Sequence, residues 1–238
     1  MERIGFIGTY DKTDFIIYVA RVLVELGKKV LVIDSTVNQK AKYVVPAINP
    51  TVSYVTEYEG IDVAVGFKDY NGIKQYLGMP ESAVFTYDYI LLDMDNPNLL
   101  ESFDIYAFQS CYFVTSPDLF CLKKGLEIIS GIRLPLNLTK IYFSNNMSKE
   151  EDDYLNFLSL GYKIKWNDEI IYFPMQSSDM DIIVQNQRLS KIKFKGISSE
   201  YKDALVGLVQ EIAKGESPSN VKKAFKQLEK GVYLVFSS

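Results

Sequence analysis

The residues best placed for chemistry in this 238-residue chain stand together near its start, in the stretch GTYDKTD at positions 8–14. Gly8, Lys12 and Thr13 follow a short apolar run and precede a helical pattern. That arrangement has the chemistry of a phosphate cradle, in which backbone N–H groups and a helix N-terminus converge on an anion, a lysine neutralises it and a hydroxyl serves its metal. Asp11 works against this reading. Aspartate tolerates the left-handed backbone region better than most residues, so its conformational cost in place of a glycine is near ~1 kcal/mol. Its charge matters more. A carboxylate about 4 Å from a phosphate oxygen costs about 4 kcal/mol at an effective dielectric of about 20, or about three orders of magnitude in affinity. Two arrangements would relieve the conflict. In one, Asp11 swings outward and Lys12 neutralises it, which withdraws the lysine from phosphate. In the other, the Asp11 carboxylate itself fills the anion nest.

Composition narrows the remaining chemistry. The chain has no histidine, which removes Ser-His-Asp and Cys-His catalysis and most zinc sites. Cys111 and Cys121 are too few for a disulfide scaffold and read as thiols in a reducing compartment. A formal charge of −4 gives no global attraction to nucleic acid or membrane, so any such contact is local. The start is too polar for a secretory signal, and no apolar run has the length of a membrane span. A cytoplasmic protein is the expectation.

The elements that must position these residues follow from periodicity. Residues 3–8, RIGFIG, read as a buried strand. Phe15, Val19, Val22, Leu23 and Leu26 recur at helical spacing, Gly27 supplies a stop, and KKVLVID at 28–34 returns as a strand, so a βαβ unit opens the chain. Further strands are predicted at 87–95, 110–118, 139–146 and 169–175, and helices at 119–132, 149–160 and 199–213. Five to seven strands alternating with helices imply an α/β fold: a doubly wound, mostly parallel twisted sheet with helices on both faces. Residues 1–215 read as that domain and 216–238 as an extension that packs on it or on a partner. Aromatic residues between 54 and 76 read first as core. The basic run RLSKIKFK at 188–195 reads as a solvated strand face. In the tail, Val221, Ala224, Phe225 and Leu228 share one helical face; residues 214–230 hold five Lys against two Glu, and 231–238 read as a strand.

Taken in order, the loop at 8–14, KKVLVIDST, YDYILLDMDNPN, VTSPDLFCLKKGLEII, IYFSNN and IIYFPM resemble the MinD/ParA family of deviant Walker ATPases, from residue 1 to about 213. No single stretch is specific; the ordered set is. The resemblance implies ATP or ADP with magnesium in the cradle, with Gly8, Lys12 and Thr13 at family positions and Asp93 as the second metal-side acid. It places Asn145 or Asn146, with Pro174, beside adenine. It also marks departures. Ile7 stands where the signature lysine would be, Thr9 and Asp11 replace glycines, Asp14 replaces a threonine, and Thr36 replaces the catalytic aspartate, leaving Asp34 as a vestigial switch acid. Thr36 cannot position water as a carboxylate does, and Ile7 cannot stabilise charge on a leaving phosphate. The expectation is a degenerate Walker A loop with little or no ATPase activity and no required cofactor, on a positioning, partition or assembly adaptor that forms a homodimer and meets a protein partner. Two alternatives stay open: an active partition ATPase with an atypical loop, and a module that binds DNA or a membrane surface through the basic run and tail.

Overall fold

The computed structural model describes residues 1–48, 50–144 and 148–231. Its elements run in the order β1 (Glu2–Ile7), α1 (Thr13–Glu25), β2 (Val30–Asp34), α2 (Ala41–Val44), β3 (Tyr54–Tyr58), β4 (Ile61–Val65), α3 (Tyr70–Tyr76), β5 (Tyr89–Met94), β6 (Ser110–Thr115), α4 (Leu119–Ile129), β7 (Leu136–Tyr142), α5 (Lys149–Leu158), β8 (Ile164–Tyr172), α6 (Ser177–Leu189), α7 (Ser199–Ile212) and α8 (Pro218–Lys230). The strands form one sheet in the order β3-β4-β2-β5-β1-β6-β7-β8. Neighbours are parallel except β3 and β4.

Central strands are apolar on both faces, as a covered parallel sheet requires. Phe6, Val32, Leu91 and Tyr112 point into one core with Phe15 of α1, Tyr201 of α7 and Phe225 of α8. Ile7, Ile33, Leu92 and Phe113 point into the other, with Ile73 of α3, Leu126 of α4 and Leu155 of α5. The doubly wound architecture expected from the sequence is therefore present.

Three local differences have physical causes. The sheet has eight strands among the described residues, because 54–65 forms a hairpin. Its turn holds Glu59 at φ 50° and Gly60 at φ 84°, both central residues left-handed as a type I′ turn demands. Glutamate is an unusual occupant of the first position, and that hid the hairpin. Helix α6 was not expected, although its N-terminal turn is well capped: Gln176 N–H donates to buried Asp179. Residues 188–195 are not a strand. They end α6 and then cross the domain as an irregular strap, with Ile192 and Phe194 buried and Lys191, Lys193 and Lys195 exposed. The alternation is real, but it anchors a strap: Phe194 meets Tyr18 and Phe225 edge-on, each at 4.9 Å. Helix α8 buries Val221, Ala224, Phe225 and Leu228, the first, third and fourth in the first core, and contacts α1 and α7. The strand predicted at 231–238 lies, apart from Gly231, outside the described residues.

Candidate functional site

Register brings the candidate residues to one end of the sheet. On parallel neighbours, Asp34 of β2 stands beside Asp93 of β5, and Phe6 of β1 stands beside the same Asp93. The loop after β1 and the ends of β2 and β5 therefore share the carboxyl edge, where open α/β sheets bind ligands. Gly8 makes the first turn. Its φ is +143°, and a Cβ there would lie 2.1 Å from the Val114 carbonyl oxygen, so no other residue fits without moving β6.

Lys12 and Thr13 both turn to Asp93. Lys12 Nζ donates to the Gly8 carbonyl at 2.7 Å and lies 2.7 Å from Asp93 Oδ1, with both side chains 2% exposed. The second contact is one of charge, because Asp93 Oδ1 has no well-directed hydrogen bond. Thr13 Oγ1 donates to Asp93 Oδ2 at 3.3 Å. Burial pushes the Asp93 carboxyl up to about 6; Lys12 pulls the other way, and Asp34 adds to the rise.

Asp11 swings outward, as one expected arrangement has it, but its partner is not Lys12. Its side chain is 57% exposed and pairs with Lys40 at 2.5 Å rather than with Lys12. Nor does its carboxylate fill the nest: Oδ1 reaches only the Thr13 N–H, at a long 3.4 Å. Lys12 lies beneath the loop, too deep for an outward carboxylate to meet, whereas Lys40 comes from the segment above. Lys40 also holds Asp14 at 2.6 Å, and Gln187 Nε2 donates to both Asp14 oxygens at 2.9 Å.

Asp34 is a loop organiser. It accepts Thr36 N–H at 3.0 Å, Thr36 Oγ1 at 2.6 Å and Ala41 N–H at 2.9 Å. Asp95 accepts Val37 N–H at 2.7 Å, and burial raises its carboxyl. Thr9 Oγ1 donates to the Cys121 carbonyl at 3.4 Å, joining the loop to α4. The Tyr10 ring stacks on Phe143 at 4.4 Å. Residues 8–13, with Thr36, Lys40, Tyr43, Asp93 and Asp95, surround a cavity of about 480 Å³. Pro174 is half-buried beyond Phe173 and does not line it; Asn145 and Asn146 lie outside the described residues.

These groups fit a phosphate with its magnesium in kind. Lys12 and the start of α1 would take phosphate oxygens. Thr13 and Asp93 would serve the metal, and the Gly8 cradle admits no side chain. Among the described residues no three acids or thiols converge as a metal cage. Asp11 is the misfit, and Lys40 offsets it. Sequence reasoning missed Lys40, Asp95, Tyr10 and Gln187. Asp95 carried a signal, since it keeps the parity of Asp93 along the strand; the other three carried none.

Two other features compete for attention. A larger cavity, about 570 Å³, opens at the opposite strand ends beside Val24, Lys28, Asp62 and Tyr87. Its polar groups satisfy others: Lys28 pairs with Glu216 at 2.7 Å, and the Tyr87 hydroxyl donates to Asp62 at 2.7 Å. Elsewhere the strap and α8 meet, so Lys195, Lys202, Lys226 and Lys230, with Glu229, line a shallow depression of about 360 Å³. Among the described residues no helix is long and apolar enough to cross a membrane.

No protein-family model matches the sequence, and no curated protein sequence is similar to it. The fold has solved counterparts. A Borrelia burgdorferi B31 protein assigned to plasmid partition and bound to AMPPNP is 11% identical, covering 95% of this chain and 99% of that one at a TM-score of 0.53. The MinC:MinD cell division complex of Aquifex aeolicus matches at 15% identity over 91% and 97%, with a TM-score of 0.57. A cobyrinic acid a,c-diamide synthase from Mycobacterium smegmatis, with ADP and magnesium, matches at 13% over 91% and 97%, with a TM-score of 0.50. At these identities the likeness is one of fold, and the fold carries more than one activity.

Proposed function

Given that the chain has the MinD/ParA-type fold, we propose that it is a positioning, partition or assembly adaptor that can admit a nucleotide phosphate without turning it over. One observation carries this reading. Thr36 stands where the resemblance puts the catalytic acid, and its hydroxyl donates to Asp34 at 2.6 Å, so the switch loop presents no carboxylate there to orient water. Asp34 is itself held by three donors, and Ile7 is fully buried. The solved counterparts named for partition and cell division support the cellular role. The purified chain with magnesium and ATP is expected to release phosphate no faster than its Lys12→Ala variant. Turnover at micromolar ATP that Lys12→Ala abolishes would overturn the adaptor reading.

A partner surface belongs to the same reading. Tyr43 and Val37 on one side of the cavity, and Leu119 and Phe120 on the other, are large apolar side chains more than half exposed. Thr9 ties the second pair to the phosphate loop. Apolar groups gathered around a site mark a contact face, and a second copy or a protein partner would close on it.

The lysine-lined depression favours a second reading, contact with DNA phosphates. Such binding weakens steeply with salt, and replacing Lys195 and Lys226 with Gln is expected to remove it. Salt-insensitive retention by DNA, or none at all, would discard this reading.

A further inference from the structure

The geometry points to Lys40 as the residue that meets an incoming phosphate at this site, with Asp11 as the carboxylate it releases. This rests on reading the cavity as a phosphate site. Three facts carry it. First, Lys40 already reaches the loop. Its Nζ lies 2.5 Å from Asp11 Oδ2, and both residues line the cavity with Gly8 and Thr13, so it can meet a ligand there by rotating its side chain. Second, it is the cation in reserve. Lys12, which would also meet phosphate, already shares its charge with Asp93 and the Gly8 carbonyl, and Ile7 supplies none. Third, release leaves nothing stranded. Asp14 keeps both bonds from Gln187, and Asp11, more than half exposed, can turn to water.

The exchange has a direction. The lining carries Asp11, Asp93 and Asp95 against Lys12 and Lys40, a net charge of −1. A bare polyphosphate is therefore repelled, and one carrying a divalent cation is favoured. Lys40 would trade two carboxylates for phosphate oxygens, a charge-assisted contact of the stronger kind. The switch loop that bears it, fixed to β5 through Val37 and Asp95, would thereby sense an occupied site.

The test is a double-mutant cycle read by calorimetric binding of ATP with magnesium at low salt, using wild type, Lys40→Gln, Asp11→Asn and the double variant. Asp11→Asn is expected to tighten binding about tenfold or more. That gain should shrink by about tenfold when Lys40 is also replaced. Lys40→Arg should retain binding, and circular dichroism should show every variant folded. Affinity indifferent to Lys40 in both backgrounds overturns the inference, as does failure of Asp11→Asn to bind at all. ATP turnover would instead overturn the adaptor reading and leave this one standing.

Discussion

Lys12 and Asp93 form an ion pair with both side chains almost fully buried, and its energetics are lopsided. Removing one partner leaves a buried charge alone, whereas replacing both by apolar groups of similar volume is close to neutral. Lys12→Met is expected to lower stability by about 3–5 kcal/mol in urea denaturation, and Lys12→Met with Asp93→Leu by much less. Equal losses would show that leaving Asp93 buried and unpaired carries no penalty of its own. The pH dependence has a definite sign. The folded Asp93 carboxyl, at about 6, sits above its ordinary 3.8, so the folded state binds more protons between these values. The stability this group contributes is full below about 4 and is lost as pH rises through about 6. The stability of wild type relative to Asp93→Asn should fall over that interval. A flat difference would show that Asp93 titrates alike in folded and unfolded chains.

At the scale of elements, one buried acid joins two helices. Asp179, fully buried in the first turn of α6, accepts the Gln176 N–H at 2.9 Å, the Ser198 N–H at 2.6 Å and Ser198 Oγ at 2.8 Å. Ser198 in turn caps α7 through the Tyr201 N–H. Asp179→Ala strands two backbone donors and loosens a cap, and should cost about 2–4 kcal/mol. Hydrogen exchange should quicken at the starts of both α6 and α7. Faster exchange in α6 alone would mean that Asp179 does not couple them. Because Gln187 of α6 holds Asp14 of α1, this joint also supports the loop at 8–13.

At the scale of the whole molecule, exposed apolar side chains and charged groups gather at one edge of the sheet. Its carboxyl edge bears the cavity, the exposed Tyr43 and Phe120 beside it, and the segment after β2, which Lys40 pins to Asp11 and to Asp14 of α1. If a second copy closes on this edge, Phe120→Glu should shift sedimentation from dimer to monomer while the far-ultraviolet spectrum stays unchanged. An unaltered sedimentation profile would place any self-association elsewhere. The basic depression lies between the strap and α8, apart from this edge, so losing DNA contact there should leave the oligomeric state as it was.

The sequence by itself determined the α/β class and the central strands, because these rest on periodicity; it grouped Gly8, Lys12 and Thr13 by their spacing in one loop, while Asp93 was singled out only by the family resemblance. It missed the β3–β4 hairpin, whose turn uses an atypical glutamate, and it read the strap as a strand because alternating burial does not require a ladder. It also could not decide what Asp11 does. That depends on Lys40, distant in sequence, and on Lys12 being drawn beneath the loop by Asp93 from another strand. Which charges meet is settled by register and crossover in three dimensions, and a linear pattern does not encode them.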